Sequence, residues 1–127
     1  MTFKHSRGHP LIVSRLQKSR DLEMAMIEAP GGLCVSILNL GAAIAAIRVP
    51  AKDGPIGAVM AYPRLEDYLE DRFFVGSTVG PVANRIGDAQ FVLDDQEYFL
   101  QRNESSTGHC LHGGDKGLHT RLFDLQH

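Results

Sequence analysis

Phe91-Val92-Leu93-Asp94-Asp95-Gln96-Glu97-Tyr98-Phe99-Leu100 decides the fold class. Apolar residues flank an Asp-Asp pair, whose short acidic side chains cap backbone groups and tolerate left-handed geometry, so the stretch reads as a β-hairpin. Upstream, Glu23–Glu28 and Leu33–Leu38 are short strand-like runs bounded by Pro30-Gly31-Gly32 and by Gly41. Ala42–Val49 carries helix-favouring alanines, yet it ends at Pro50 with Asp53-Gly54-Pro55 close behind, which fits a strand entering a turn. Only Arg64–Asp71, with Leu65, Tyr68 and Leu69 at i, i+3 and i+4, has the spacing of a helical turn or two. Short strands at regular spacing with turn signals between them predict an all-β, antiparallel β-sandwich or barrel.

Size and charge narrow the class further. At 127 residues the chain fits one domain or a piece of one, since domains run to roughly 150 residues. With 43% hydrophobic and 22% charged residues it has the composition of a globular protein, not of a disordered one. Thirteen Lys+Arg against fifteen Asp+Glu leave a net charge of −2, which argues against binding nucleic acid through bulk phosphate neutralisation. Residues 1–20 hold Lys4, Arg7, Arg15, Lys18 and Arg20 and no acid. Leu11-Ile12-Val13 is broken at once by Ser14 and Arg15, so no signal-peptide core follows the charges, and the stretch reads as a basic leader before the first strand. The uninterrupted apolar run Ala42–Ile47 is far below the roughly 18 residues that span a membrane. The expectation is a cytoplasmic protein with no membrane and no nucleic-acid partner.

Two glycine-rich stretches stand out from this background. The first is Gly76-Ser77-Thr78-Val79-Gly80-Pro81-Val82-Ala83-Asn84-Arg85-Ile86-Gly87, where glycines permit close backbone approach beside an amide and a guanidinium. It is no phosphate loop, because no GxxxxGK[ST] is present. The second is His109-Cys110-Leu111-His112-Gly113-Gly114-Asp115-Lys116-Gly117, a tight loop that exposes an imidazole. Histidines at i and i+3 suit one helix face, but glycines disfavour a helix here and no third ligand is present, so no metal site is expected. Cys34 and Cys110 match no ligand spacing and are expected as buried, reduced thiols. Cys110 is poorly placed to use His112 as a base and is not expected to be a nucleophile.

Taken in order, Val79–Ile86, Phe91–Leu100 and Leu111–Gly117 resemble the aldose 1-epimerase (galactose mutarotase) family. Its pattern runs G-R-x-A-N-R-I, then F-x-L-D-G-x-x-Y-x-L, then L-H-G-G-x-x-G. Asn39-Leu40-Gly41-Ala42, Val49–Gly54 and Leu65-Glu66-Asp67-Tyr68 follow the same order upstream. Pro81 stands where the family has Arg, and Asp95 where it has the hairpin Gly. The match covers the N-terminal portion of the family pattern, with residues 21–127 forming part of a mutarotase-like supersandwich after a basic leader or first-strand region at 1–20.

The resemblance implies a β-sandwich that holds a hexopyranose such as galactose or glucose and interconverts its α and β anomers without a cofactor. Asn84 and Arg85 map to sugar-binding residues, and His112 to the histidine that hydrogen-bonds the sugar near its ring oxygen. Mutarotation needs a base for the C1 hydroxyl proton and an acid for the ring oxygen. Arg85 supplies fixed donors, and a histidine titrates near neutral pH. The family's principal acid, a second histidine, and its glutamate base lie downstream of L-H-G-G. No residue of this sequence takes either role, so no catalytic residue is assigned and a truncated, weakly active or inactive product is expected. The alternatives are a non-catalytic carbohydrate-binding or structural β-domain, and a hexose-6-phosphate 1-epimerase relative, which the loss of an Arg at Pro81 disfavours. Open strand edges would favour self-association into a homo-oligomer.

Overall fold

A computed structural model of the protein describes the backbone of residues 12–19 and all of residues 21–125. Residues 12–19 of the expected leader are themselves the first strand, paired with the next one, and the rest of the leader lies outside the described residues. The described chain forms two compact units, one running to Thr78 and resuming at Leu122, the other spanning Val79–Arg121.

The first unit is a meander. Strands β1 (Ile12–Ser19), β2 (Leu22–Glu28), β3 (Cys34–Leu38), β4 (Ile44–Val49) and β5 (Ile56–Gly57) pair antiparallel in sequence order. Each predicted strand is present. Short connections make this order the cheapest to close, and Gly32, at φ +81°, supplies the left-handed residue in the Ala29–Leu33 turn. Leu22, Leu38, Ala43 and Ala45 are buried with Leu65 and Tyr68. Asn39 extends the ladder with its side chain: Oδ1 accepts the Glu23 N–H at 2.9 Å and Nδ2 donates to the Asp21 carbonyl at 2.9 Å. The returning segment bonds to the same residue, Phe123 N–H donating to the Asn39 carbonyl at 2.9 Å.

The helical turns expected at Arg64–Asp71 are 3₁₀, covering Leu65–Glu70. The reason is which residues reach the core. Side chains at i and i+3 eclipse in a 3₁₀ turn, so Leu65 and Tyr68 both face the sheet, while Leu69, the i+4 position, stays 48% exposed. Asp71 then stops the turn by accepting the N–H groups of Phe73 and Val75, each at 2.8 Å, and the Tyr62 hydroxyl at 2.8 Å. Gly76 (φ +65°) crosses β4, where Ile44 N–H donates to its carbonyl at 2.8 Å. A Cβ at Gly76 would run into the Ile44 carbonyl oxygen.

The second unit holds two small antiparallel sheets. Strand β6 (Arg85–Ile86) pairs with β9 (Cys110–Leu111), and β7 (Gln90–Leu93) with β8 (Gln96–Phe99). The β7–β8 pair is the hairpin read from the sequence. Asp94 (φ 52°) and Asp95 (φ 59°) are both left-handed, the backbone of a type I′ turn, so an acid in place of the family's Gly keeps the tight connection. Phe91 stacks on Tyr98 at 5.0 Å, but every residue of both strands is exposed within the unit, including Val92 and Phe99. The sequence alternation thus finds no buried face among the described residues.

Leu38 is the largest fully buried side chain. Leu38→Ala is expected to lower unfolding stability by about 2–5 kcal/mol, whereas Leu69→Ala should change it by less than about 0.5 kcal/mol. Urea denaturation followed by circular dichroism measures both.

Candidate functional site

Asn84, Arg85 and His112 come together in the second unit through β6 and β9, 28 residues apart in sequence at their extremes. Arg85 is paired in register with Leu111, so the residues flanking that pair, Asn84 and His112, sit at the same end of the ladder. They close it reciprocally: His112 N–H donates to the Asn84 carbonyl at 3.0 Å, and Asn84 N–H donates to the Nδ1 of His112 at 3.0 Å. Both are left-handed, Asn84 at φ 62° and His112 at φ 52°. Asn and His are the residue types that tolerate that region, and strained backbone of this kind concentrates at functional sites. Because Nδ1 accepts an amide proton, the neutral ring carries its own proton on Nε2, which is therefore a donor. The imidazole expected to be exposed is half-buried.

Arg85 is held from two sides. Nε donates to Glu104 Oε2 at 2.7 Å, Nη2 donates to Glu104 Oε1, and Nη1 donates to Asn84 Oδ1 at 3.1 Å. This bidentate ion pair fixes the plane of the guanidinium and engages three of its five N–H groups. The remaining two are on an arginine side chain that is 48% exposed. Glu104 is 14% exposed and also accepts the Thr107 hydroxyl. The Arg85 guanidinium, then the Thr107 hydroxyl, hold its carboxyl down at about 2.

The sequence reading missed the groups that build this corner. Glu104 is one. Asn103 is another, and it stands in for a missing strand, its Oδ1 accepting Leu111 N–H at 2.7 Å while Nδ2 donates to the Leu111 carbonyl at 3.0 Å. His109 is the third: its Nδ1 accepts Asp88 N–H at 3.1 Å, the same device that His112 uses on Asn84. The two histidines three residues apart thus latch the two ends of β6. Among the described residues no cluster of His, Cys, Asp and Glu is arranged to hold a metal ion. The only local signal for these groups was their position between the hairpin and L-H-G-G.

The glycines of the second motif have separate duties. Gly113 (φ +88°) lies so close to the Gly80-Pro81 segment that a Cβ would overlap the Gly80 carbonyl oxygen and approach Pro81 Cδ to 2.8 Å. Leu118 N–H donates to that same carbonyl at 3.1 Å. The two glycine-rich stretches are thereby interlocked, although Gly87 has open space beside it. Cys110 is buried and Cys34 only half-buried, both as free thiols, so the expectation of two buried thiols holds for Cys110 alone. No helix among the described residues is long and apolar enough to cross a membrane.

Comparison with known proteins gives the class of this antiparallel β fold with its Asn-Arg pair laced to L-H-G-G. The family model for aldose 1-epimerase matches residues 23–127. The chain is 32% identical over 107 residues to an aldose 1-epimerase of Streptococcus thermophilus, covering 84% of this chain and 30% of that one. It is 40% identical over 92 residues to a galactose mutarotase of Bos taurus, covering 72% and 26%. A GalM/aldose epimerase homologue from C. elegans superposes with a TM-score of 0.70 at 32% identity, over 79% of this chain and 31% of its own. A galactose 1-epimerase from Lactobacillus acidophilus has the same fold, with a TM-score of 0.71 at 24% identity over 92% of this chain and 34% of its own. The chain belongs to the aldose 1-epimerase family and has its β-sandwich fold. It spans about 30% of the length of the curated relatives it matches.

Gly113→Ala is expected to destabilise the chain by roughly 1–3 kcal/mol, because both the left-handed backbone and the Gly80 carbonyl oppose a Cβ. Gly87→Ala should be near neutral, and thermal melts of the two variants distinguish them. Glu104 sets the pH response of the Arg85 corner. A carboxyl whose folded pKa is depressed from 4.5 to about 2 contributes stability fully above 4.5 and loses it as pH falls toward 2. Titration of the Glu104 side-chain carbon by NMR should give a midpoint near 2, and a midpoint near 4.5 would show the ion pair to be open in solution.

Proposed function

We propose that Asn84, Arg85 and His112 form the wall of a hexopyranose site, and that this chain carries the sugar-recognition part of an aldose 1-epimerase acting on hexoses such as galactose and glucose. The observation that carries this reading is the direction of the donors. His112 holds the Asn84 amide through Nδ1, which fixes its ring beside Arg85, and Arg85 retains two N–H groups after Glu104 and Asn84 are served. Preorganised donors of this kind bind sugar hydroxyls and favour charge developing on the ring oxygen as the C1–O5 bond opens. The reaction then needs the C1 hydroxyl proton removed, rotation about C1–C2, and reclosure with the proton returned. No cofactor enters that sequence. The relatives named for this activity are an aldose 1-epimerase and galactose mutarotases.

Electrostatics favour recognition over turnover for these 127 residues. The carboxylate in the Arg85 corner, Glu104, is held at about 2 and tied to Arg85 and Thr107. A carboxylate so stabilised is a weak base for a sugar hydroxyl at neutral pH. This supports a second reading, a carbohydrate-binding β-domain with little catalysis of its own. A cytoplasmic setting fits the free thiols of Cys34 and Cys110. Self-association fits the exposed apolar faces of β7 and β8.

Galactose added to the 127-residue chain should shift the amide resonances of Asn84, Arg85, His112 and Gly113 with a Kd of about 1 mM or weaker, which corresponds to about −4 kcal/mol. Arg85→Ala should abolish the shifts and Arg72→Ala should leave them. Polarimetry of α-D-galactose should show mutarotation hardly faster than in buffer, since an acid and a base each typically give about 10²–10⁴-fold. Enzyme-like rates that vanish in His112→Ala would overturn the recognition-only reading, and absence of galactose shifts would overturn the sugar site.

A further inference from the structure

A second concavity lies wholly in the first unit, on the sheet face that carries Met24, Met26 and Ser36. It encloses about 380 Å³, within the roughly 300–1,000 Å³ typical of small-molecule sites. Its origin is a step in side-chain size. Ser36 is the cross-strand neighbour of Met26 on one side and Ala46 on the other, and a register shift beside it brings Ala45 to the same floor. Small residues on the central strands, methionines on β2 and the Tyr62–Tyr68 pair above them leave a hollow.

The polar groups around this hollow differ sharply in whether they are engaged. Tyr62 donates its hydroxyl to Asp71 at 2.8 Å, and the Tyr68 oxygen accepts Tyr62 N–H at 3.4 Å, so the aromatic wall presents ring surface. The two rings meet edge to face at 5.0 Å. Arg64 is paired with Asp67, and the Cys34 thiol reaches the Gly32 carbonyl at 3.5 Å. Tyr68 keeps its own hydroxyl proton to donate, and two lining side chains, Ser36 and Arg48, make no side-chain hydrogen bond at all among the described residues. Ser36 is 8% exposed, and its hydroxyl has no hydrogen-bond partner among the described residues. Arg48, exposed at the mouth, has no ion pair among them.

The spacing of these two groups selects the ligand. Ser36 and Arg48 sit on adjacent strands, two residues out of register, because Cys34 pairs with Arg48 and Ser36 with Ala46. Strand spacing of about 4.8 Å and a two-residue step of about 6.8 Å put their Cα atoms roughly 8 Å apart. Among the described residues no acid lines the hollow, and Glu28, which shares the Cys34–Arg48 row two strands from Arg48, lies outside its lining. An apolar ring between a buried hydroxyl and a cation at the mouth matches a flat molecule with a hydroxyl at one end and a carboxylate at the other.

We propose that this hollow binds a small aromatic hydroxy-carboxylate, its ring against Met24, Met26 and Tyr62, its hydroxyl on Ser36 and its carboxylate on Arg48. The site is independent of the Asn84–Arg85–His112 corner and of any sugar it binds. Titration of the 127-residue chain with 4-hydroxybenzoate, followed by amide NMR, should give saturable shifts at Ser36, Ala45, Ala46 and Arg48 in the millimolar range. The uncharged 4-hydroxybenzyl alcohol should bind about tenfold more weakly, through loss of the charge-assisted contact. Benzoate, which lacks the hydroxyl, and Ser36→Ala should each weaken binding several-fold, and Arg48→Gln should remove the preference for the charged ligand. Both variants replace lining groups outside the core cluster, and an unchanged dispersed spectrum verifies their fold. Shifts confined to other residues, equal binding of acid and alcohol, or unchanged binding by both variants would overturn the proposal. Shifts at the same residues on raising protein concentration alone would assign the hollow to a second copy and overturn it too.

Discussion

A two-residue ladder cannot hold itself, and the second unit is organised by how its orphaned backbone groups are met. Strands β6 and β9 share only the pairs Arg85–Leu111 and Ile86–Cys110. Backbone N–H and C=O groups beside so short a pairing must find other partners or be left unmet. Side chains supply them. His112 takes the Asn84 amide at one end of β6, His109 takes the Asp88 amide at the other, and Asn103 meets both groups of Leu111 from the far side. The result is a rigid corner built without a long strand. Arg85 projects from it, and its plane is set by Glu104.

This economy explains why the glycines cluster where they do. Latching by side chains requires left-handed backbone at Asn84, Asp88 and His112, and it brings the 111–117 loop directly onto the Gly80 carbonyl. At Gly113 no side chain fits. Gly76 does the equivalent task in the first unit, where it passes over Ile44. The two stretches that stood out in the sequence as glycine-rich are therefore places where backbone meets backbone, and the polar residues beside them inherit fixed positions.

What could be read from the sequence followed from strong local rules. The strands at Leu22–Glu28, Cys34–Leu38 and Ile44–Val49 and the Asp94-Asp95 turn were legible because β-patterning and turn chemistry act over a few residues. The meeting of Asn84-Arg85 with Leu111-His112 was legible only through the hairpin that returns the chain between them. The 3₁₀ form of Leu65–Glu70 was hidden, because a pattern of i, i+3, i+4 does not reveal which of Tyr68 and Leu69 the sheet will cover. Glu104, Asn103 and His109 were hidden for a different reason. Their roles depend on partners 8 to 21 residues away, and nothing in a lone Asn-Glu or a second histidine marks such a partner.

In the proposed sugar site the corner's residues carry structure and recognition at once, and that decides how substitutions there must be read. His112→Ala removes the imidazole of the proposed sugar site, but it also strips the acceptor from the Asn84 amide and so loosens the backbone that positions Arg85. Loss of binding in that variant could then reflect a displaced guanidinium instead of a lost imidazole. An asparagine at 112 separates the two effects: it tolerates left-handed backbone, and its side-chain oxygen is an acceptor while its amide keeps a donor. The same logic applies to Glu104. It has no assigned contact with a sugar, yet the plane of Arg85 rests on it, so its removal should act on recognition through geometry and not through charge at the ligand. The groups that a sugar would touch and the groups that hold them are one hydrogen-bonded set, and only substitutions that preserve the backbone latch can tell one duty from the other.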